Sequence, residues 1–308
     1  MNREWTGDLQ ILDALELLNS TVLTAQWLGI SQSSCSRRYR LFSDKHAFQF
    51  DRDGSRYKAN GNLDVLAGMR KVAQAIRVRQ GGLRFVRGWQ LGQSPISSLG
   101  GLGVEAPVRP ISTMEILIML ERRLIDVAVM GLMECQSLIG TSIDRLRLGR
   151  HEMGSQLMYI PTCTYELELV ARTDNPLAKQ KTATSEQIAS CPSVGLPLGT
   201  APIMMDQLNQ HGLGSELYNH THYHEDAWEG FANDGSRLSY AAPFNFPGLQ
   251  RRRQIVPIAY PLGITECLSI VGHKDVIKDN AFGRYFKLLH AETNNIVAVA
   301  SKSVRWLH

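Results

Sequence analysis

The spacing of apolar residues changes several times along the chain, and each change marks an element. Between residues 22 and 42 apolar positions recur at helical spacing on either side of Gly29. First comes an apolar stretch from Val22 to Leu28, then a stripe of Cys35, Tyr39 and Phe42. Gly29 supplies a turn between the two helices, and Ser31 is suited to cap the second. From Phe48 to Lys58 the period drops to two around Asp53-Gly54, a strong short-range hairpin signal. Helical spacing returns over 61–80: Leu63, Leu66, Met69, Val72, Ala73 and Ile76 make an apolar stripe, with Arg70, Lys71, Arg77 and Arg79 outside it. Such a stripe calls for a partner, most commonly the same helix of a second subunit. Gly81-Gly82 ends the helix and marks a boundary.

Beyond residue 83 strand-like and helix-like patterns alternate. Strands are predicted over 83–86, 124–130, 166–171, 193–196, 237–242 and 268–272, and helices over 112–123, 185–189, 201–211, 225–232 and 281–289. Ser112 with Glu115 reads as a capping box. This is an α/β plan, in which ligands bind at the carboxyl ends of strands.

The helix-turn-helix pattern carries chemistry. With Cys35, Tyr39 and Phe42 inward, Gln32, Ser33, Ser36, Arg37 and Arg40 are left on the opposite face, a set able to read base edges and hold phosphate. Arg52, Arg56 and Lys58 flank the hairpin turn, where a wing lies beside the sugar-phosphate backbone. A solvated helix face and a basic hairpin are the plainer readings of either feature alone. Charge favours DNA: residues 1–88 carry 14 Lys+Arg against 8 Asp+Glu, a net +6, whereas the whole chain is +4 and the remainder therefore −2.

Composition narrows the classes. At 308 residues, 44% hydrophobic and 20% charged, the chain is globular and long enough for two or three cores. It contains no long uncharged apolar run, and its start lacks a signal-peptide core, so a cytoplasmic protein without membrane contact is expected. Cys35, Cys135, Cys163, Cys191 and Cys267 are odd in number and widely spaced, which fits reduced thiols. His220, His222 and His224 alternate, and on one face of a strand they could hold zinc; a solvated polar strand is the plainer reading, and no metal is expected. Arg251-Arg252-Arg253 reads as a solvated loop, and Met114, Met119, Met204 and Met205 as core. There is no nucleophile elbow, Walker loop or dinucleotide fingerprint, so no catalytic residue and no cofactor are assigned.

The residues that carry the reader pattern also carry a family resemblance. Ala25-Gln26-Trp27-Leu28-Gly29-Ile30-Ser31-Gln32 with Ser36-Arg37, and then Phe50, Arg52, Arg56 and Gly61, resemble the helix-turn-helix and wing of LysR-type transcriptional regulators. Leu124-Ile125-Asp126-Val127-Ala128-Val129 and the segment from Glu168 to Ala178, with its Asn175-Pro176-Leu177 turn, are similar to two strands of that family's regulatory domain. The resemblance implies a winged helix-turn-helix over residues 1–60 and a dimerising linker helix over 61–82. Two Rossmann-like subdomains of the periplasmic-binding-protein type would follow, one from 83–162 with 266–308 and the other from 163–265. It implies operator DNA as partner, a homodimer or homotetramer, and a small effector between the subdomains. RNA polymerase is a further partner such an architecture admits. Carried over singly, the effector positions are Ser94, Ser97, Gly131, Leu196, Thr200 and Phe244. Ser33 and Ser34 stand where the family often has Pro and Ala, Lys58 where a Thr usually caps the linker, and Leu99 to Gly103 where it has a full helix. The alternative is a solute-binding protein or metal-dependent enzyme that keeps the reader as a vestige; sequence-dependent DNA retention separates the two.

Overall fold

In the computed structural model, residues 4–53, 56–91, 103–299 and 304–307 are described. The amino-terminal module packs α1 (Glu4–Leu18), α2 (Thr21–Leu28) and α3 (Gln32–His46) with an antiparallel hairpin of β1 (Gln49–Asp53) and β2 (Arg56–Asn60). Local chemistry places these ends. The Leu23 amide donates to Ser20 Oγ at 3.3 Å to open α2, and the Ser34 amide donates to Ser31 Oγ at 3.1 Å to open α3. Between them Gly29 sits at φ +65°, a conformation that costs residues with a Cβ. Cys35 and Phe42 are buried and Tyr39 half-buried, packed among side chains of α1, α2 and the hairpin. The periodicity above did not predict α1. Its residues 11–17 are buried without a break, and a helix covered on all sides shows no amphipathic period.

From α4 (Leu63–Gln80), closed by Gly81 at φ +89°, the chain enters the α/β module. There follow β3 (Leu83–Arg87), β4 (Gly103–Glu105), α5 (Thr113–Glu121), β5 (Val127–Gly131), α6 (Gln136–Ile139), β6 (His151–Met153) and β7 (Leu157–Glu166). Next come β8 (Glu168–Arg172), α7 (Ser185–Ala189), β9 (Val194–Gly195), α8 (Pro202–Gln210), β10 (Glu216–Leu217), α9 (Glu225–Trp228), β11 (Ser239–Ala241), α10 (Phe246–Arg253) and β12 (Ile255–Pro257). The chain then returns through β13 (Thr265–His273), α11 (Lys274–Ile277), α12 (Phe282–Val299) and β14 (Val304–Trp306). One sheet runs β14-β7-β13-β5-β3-β4, with β6 on β7; β11-β8-β12 form a second, and β9 pairs with β10. β3 lies parallel to β4 and β5, and β13 runs antiparallel between β5 and β7. β7 and β13 are thus the two strands by which the chain leaves the larger sheet and comes back.

Several predicted bounds shift. The strand expected over 124–130 covers Val127–Gly131, and the helix expected over 225–232 breaks after Trp228 into a 3-10 turn. The helix expected from 281 runs on to Val299, and Ser112 caps α5 at Glu115 without the reciprocal half of a capping box. Met114 is exposed rather than core, and Arg251 to Arg253 form the last turn of α10, with Arg253 Nη2 2.8 Å from Asp226 Oδ1.

The largest correction concerns α4. Of the apolar stripe Leu63 and Val72 are exposed and Leu66 and Ala73 buried, but Arg70, expected outside the stripe, is buried with Gln74 and Val78, and Arg77 is half-buried. Ionic pairing explains the burial of these two arginines. Arg70 donates to Asp13 at 2.7 Å and to Glu16 at 3.0 Å, two buried carboxylates of α1. From the α/β module Arg84 donates to Asp13 at 3.2 Å, and Arg122 stands 3.0 Å from Glu16. Asp126, fully buried, accepts from Gln74 at 2.9 Å, from Arg77 at 2.6 and 3.0 Å, and from the Arg84 amide at 2.8 Å. Burial pushes the Asp126 carboxyl upward, but Arg77 and Arg84 outweigh it and hold the group below its ordinary value. Leu17 of α1 also joins a core formed mainly by the α/β module, with Leu18 and Trp27 of the amino-terminal module packed against it. The two modules therefore share one buried ionic and apolar seam.

Asp126→Ala leaves the Arg77 guanidinium and the Arg84 amide without their shared acceptor. It is expected to cost about 3–5 kcal/mol of unfolding free energy, read as a lower urea midpoint at unchanged slope.

Candidate nucleic-acid interface and cleft

On α3, Gln32, Ser33, Arg37 and Arg40 are exposed and Ser36 is half-buried, all on the side away from Cys35. Gln32 Nε2 reaches Thr21 Oγ1 at 3.2 Å, and Ser33 Oγ lies 3.1 Å from Ser31 Oγ, so the start of the helix presents an ordered polar edge. Arg38 is held back, donating to Asp8 of α1 at 2.7 Å, whereas Arg37 projects to solvent. Arg40 leans on the Tyr39 ring at 5.8 Å. In the hairpin the register sets Arg52 opposite Tyr57, Arg56 opposite Asp53 and Lys58 opposite Asp51, and Lys58 is exposed. Helix and hairpin are two neighbouring cationic elements of one small core, a geometry that can straddle a groove and its backbone.

The second region lies where β5 ends. A Cβ on Gly131 would stand 2.3 Å from Glu266 Oε2 and 2.7 Å from Gln90 Nε2, so a larger residue there would displace one of those side chains. Glu266 lies on the returning strand β13, and its Oε1 accepts from the amides of Leu132 at 2.9 Å, Met133 at 2.8 Å and Cys267 at 2.8 Å. Burial pushes its carboxyl up to about 7 against the pull of those three donors. Beside it Trp89 packs against Trp228 and Tyr240, with ring centroids 5.2 and 6.2 Å away, and Trp228 also meets Tyr218 at 5.0 Å. Phe244 stands edge-on to Tyr165 of β7 at 4.8 Å. Leu196 is buried, with its amide 3.2 Å from Met205 Sδ, and Thr200 closes a turn onto the Pro197 carbonyl at 3.0 Å just before α8. Phe244 thus meets the larger sheet through Tyr165, whereas these bonds of Leu196 and Thr200 run within the second half. Ser94 and Ser97 lie outside the described residues.

Glu134, in the 3-10 turn Met133–Cys135, accepts from the amides of Ile203 at 3.1 Å and Met204 at 2.9 Å across the gap. Burial raises its carboxyl above the ordinary value against those two donors. A second tie is made of backbone: the Tyr223 amide donates to the Arg109 carbonyl at 2.7 Å and the Ile111 amide to the Thr221 carbonyl at 3.2 Å. The histidine run is therefore not a strand. It is a loop with a single bridge at His222, whose Nε2 stands 3.9 Å from Glu115, while the His220 and His224 rings lie 5.0 Å apart. Among the described residues no group of three or more His, Cys, Asp or Glu is arranged to hold a metal ion. No described helix is long and apolar enough to cross a membrane.

Sequence reasoning missed Glu134, Glu266, Gln90 and Trp89. One signal for Glu266 was available, a lone carboxylate at the start of the apolar run from Cys267 to Val271.

No protein-family model matches the chain, and no curated protein matches it in sequence. Among solved structures, a full-length OxyR variant from Pseudomonas aeruginosa superposes with TM-score 0.56 at 12% identity, covering 96% of this chain and 97% of that one. ArgP from Mycobacterium tuberculosis gives 0.52 at 14% identity, over 92% of this chain and 96% of that one. A probable transcriptional regulator from Pseudomonas aeruginosa gives 0.50 at 18%, over 92% and 95%. What the chain shares with them is a fold, that of LysR-type regulators: an amino-terminal winged helix-turn-helix followed by a regulatory part of the periplasmic-binding-protein type.

The Glu266 carboxyl has a signature in stability. Its folded value, about 7, lies above the ordinary 4.5, so the fold favours the protonated acid; this contribution is complete below pH 4.5 and is lost as pH rises through about 7. Unfolding in urea should show a loss of about 3 kcal/mol across that window, and Glu266→Gln should flatten it.

Proposed function

We propose that this chain is a DNA-binding transcriptional regulator of the LysR type, without enzymatic activity. It reads a double-stranded operator through α3 and steadies itself on the backbone through the β1-β2 hairpin. The observation that carries this reading is the exposed face of α3. Gln32, Ser33, Ser36, Arg37 and Arg40 stand together on a helix capped and turned by Ser31 and Gly29, beside a basic hairpin. Residues 1–60 serve as reader and 61–82 as the helix through which two or four copies associate. The remainder acts as a two-part sensor, divided at 163 and 265. A small effector would bind between the two parts, near Gly131, Leu196, Thr200 and Phe244, where strand ends and the start of α8 converge. Such a ligand would shift the relative orientation of the parts, hence the spacing of paired readers, and contact with RNA polymerase would carry the outcome. The protein would work in the cytoplasm, where thiols stay reduced.

Two substitutions separate base reading from backbone anchoring. Arg37→Ala is expected to weaken operator binding by about 1–3 kcal/mol and to relax preference at one base position. Arg56→Ala should weaken binding to all sequences alike and reduce the salt slope by roughly one unit. Fluorescence anisotropy on a selected operator and a scrambled duplex, across a salt series, reads both. Unchanged affinity in both variants would remove α3 and the hairpin as the reader.

A further inference from the structure

Two cavities open in the joint between the amino-terminal module and the α/β module. The smaller, about 320 Å³, has Ile11, Trp27 and Val104 among its walls, and the larger, about 630 Å³, lies between α1 and α4. They adjoin at Gly7, Gln10, Arg77 and Arg84, which line both. The two guanidiniums of this set are incompletely paired, which is unusual for buried cations. Arg84, only 4% exposed, donates through Nη1 alone, to Asp13 at 3.2 Å and to the Leu124 carbonyl at 2.8 Å. Its side-on edge, Nε with Nη2, meets no hydrogen-bonding or ionic partner among the described residues, and the Trp27 ring stands 5.9 Å from the group. Arg77 commits Nε and Nη2 to Asp126 and keeps Nη1. Charge in the seam is unbalanced in the same sense: Arg70, Arg77, Arg84 and Arg122 meet Asp13, Glu16 and Asp126, so there is one guanidinium more than there are carboxylates. Burial and the neighbouring Arg77 accordingly hold Arg84 below its ordinary value. A planar fork of this kind matches two oxygens of a carboxylate or a phosphate.

We propose that this joint binds a small oxoanion, a phosphate or carboxylate group, on the side-on edge of Arg84 with Arg77 beside it. Held there, the anion stands between α1, α4 and β3 and supplies the negative charge that the seam lacks, so it steadies the amino-terminal module against its own α/β module. The site lies away from the cleft between the two halves of the α/β module, and it depends neither on that cleft nor on DNA binding.

Thermal unfolding of the full chain tests this in sodium phosphate and, separately, in sodium acetate, each titrated against sodium chloride at matched ionic strength and neutral pH. Wild type should gain Tm saturably with at least one of the two anions, by about 2 °C at a tenfold excess over the half-saturating concentration, and the anion that acts identifies the head group. Phosphate also stabilises proteins by exclusion from their surface, but that effect does not saturate and is shared by all variants. Arg84→Lys keeps a charge beside Asp13 and loses the fork, whereas Gln10→Trp leaves the ionic network in place and fills the junction of the two cavities. Both should lose the saturable rise. Arg37→Ala removes a cation from the exposed face of α3 and should keep it. No saturable rise in wild type with either anion, or a rise that survives in Arg84→Lys or in Gln10→Trp, would overturn the proposal. Loss of the rise in Arg37→Ala would overturn it as well, by placing the anion on the surface read as facing DNA.

Discussion

Two carboxylates buried on one helix constrain much of the molecule. Asp13 and Glu16 sit on the inner side of α1, and taking them out of water costs several kcal/mol each unless cations come with them. Arg70 answers from α4, and Arg84 and Arg122 answer from the α/β module. Burial and the neighbouring Arg77 hold the Arg84 guanidinium below its ordinary value, while Asp13 and Asp126 pull the other way. Two of the cations that neutralise α1 therefore belong to the other module. Separating the modules would leave charges of both signs unpaired at an apolar seam, so the helix-turn-helix keeps one orientation relative to its own α/β module.

The same strand that anchors this seam also reaches the cleft. Asp126 lies immediately before β5, where it gathers α4 and β3, and Gly131, Leu132 and Glu134 lie at or just beyond its other end. Only roughly 17 Å of extended chain separates the two ends. β5 is buried along its whole length between β3 and β13, and close-packed interiors transmit displacement rather than absorb it. Asp126, which holds the linking helix, and Glu134, which meets α8, therefore stand beyond opposite ends of one short buried strand. Glu266 holds that turn from β13, the strand by which the chain returns to the larger sheet.

Legibility in the sequence followed the range of the interactions. The helix-turn-helix was readable from Gly29 and Ser31, since each acts on backbone groups within a few residues of itself. The hairpin was readable from Asp53-Gly54 and its alternation, and the exposed face of α3 follows from the inward stripe of Cys35, Tyr39 and Phe42. In the cleft the positions that could be named, Gly131 and Thr200 among them, came from the family resemblance. Glu134 gave no sign, because its partners lie some seventy residues further on and are backbone amides, which no side-chain pattern reveals.

Taken alone, then, the sequence determined the local elements, the order of modules, the concentration of positive charge near the amino terminus and the surface on α3 that could meet DNA. Tertiary structure decided which face of α4 is buried. Periodicity placed Leu63 and Val72 in a stripe left for a second subunit and Arg70 outside it, on the premise that charged side chains stay in solvent. That premise yields where α1 brings Asp13 and Glu16 into the seam, since an unpaired buried carboxylate costs more than burying a guanidinium that pairs with it. The histidine run illustrates the same limit. Its alternation suits a strand, yet the backbone partners that would make it one are only those at Pro110 and its neighbours, and a single bridge is all that forms. Caps, turns and stripes depend on near neighbours and are written in the chain. The pairing of buried charge depends on residues that become neighbours only when the chain has folded.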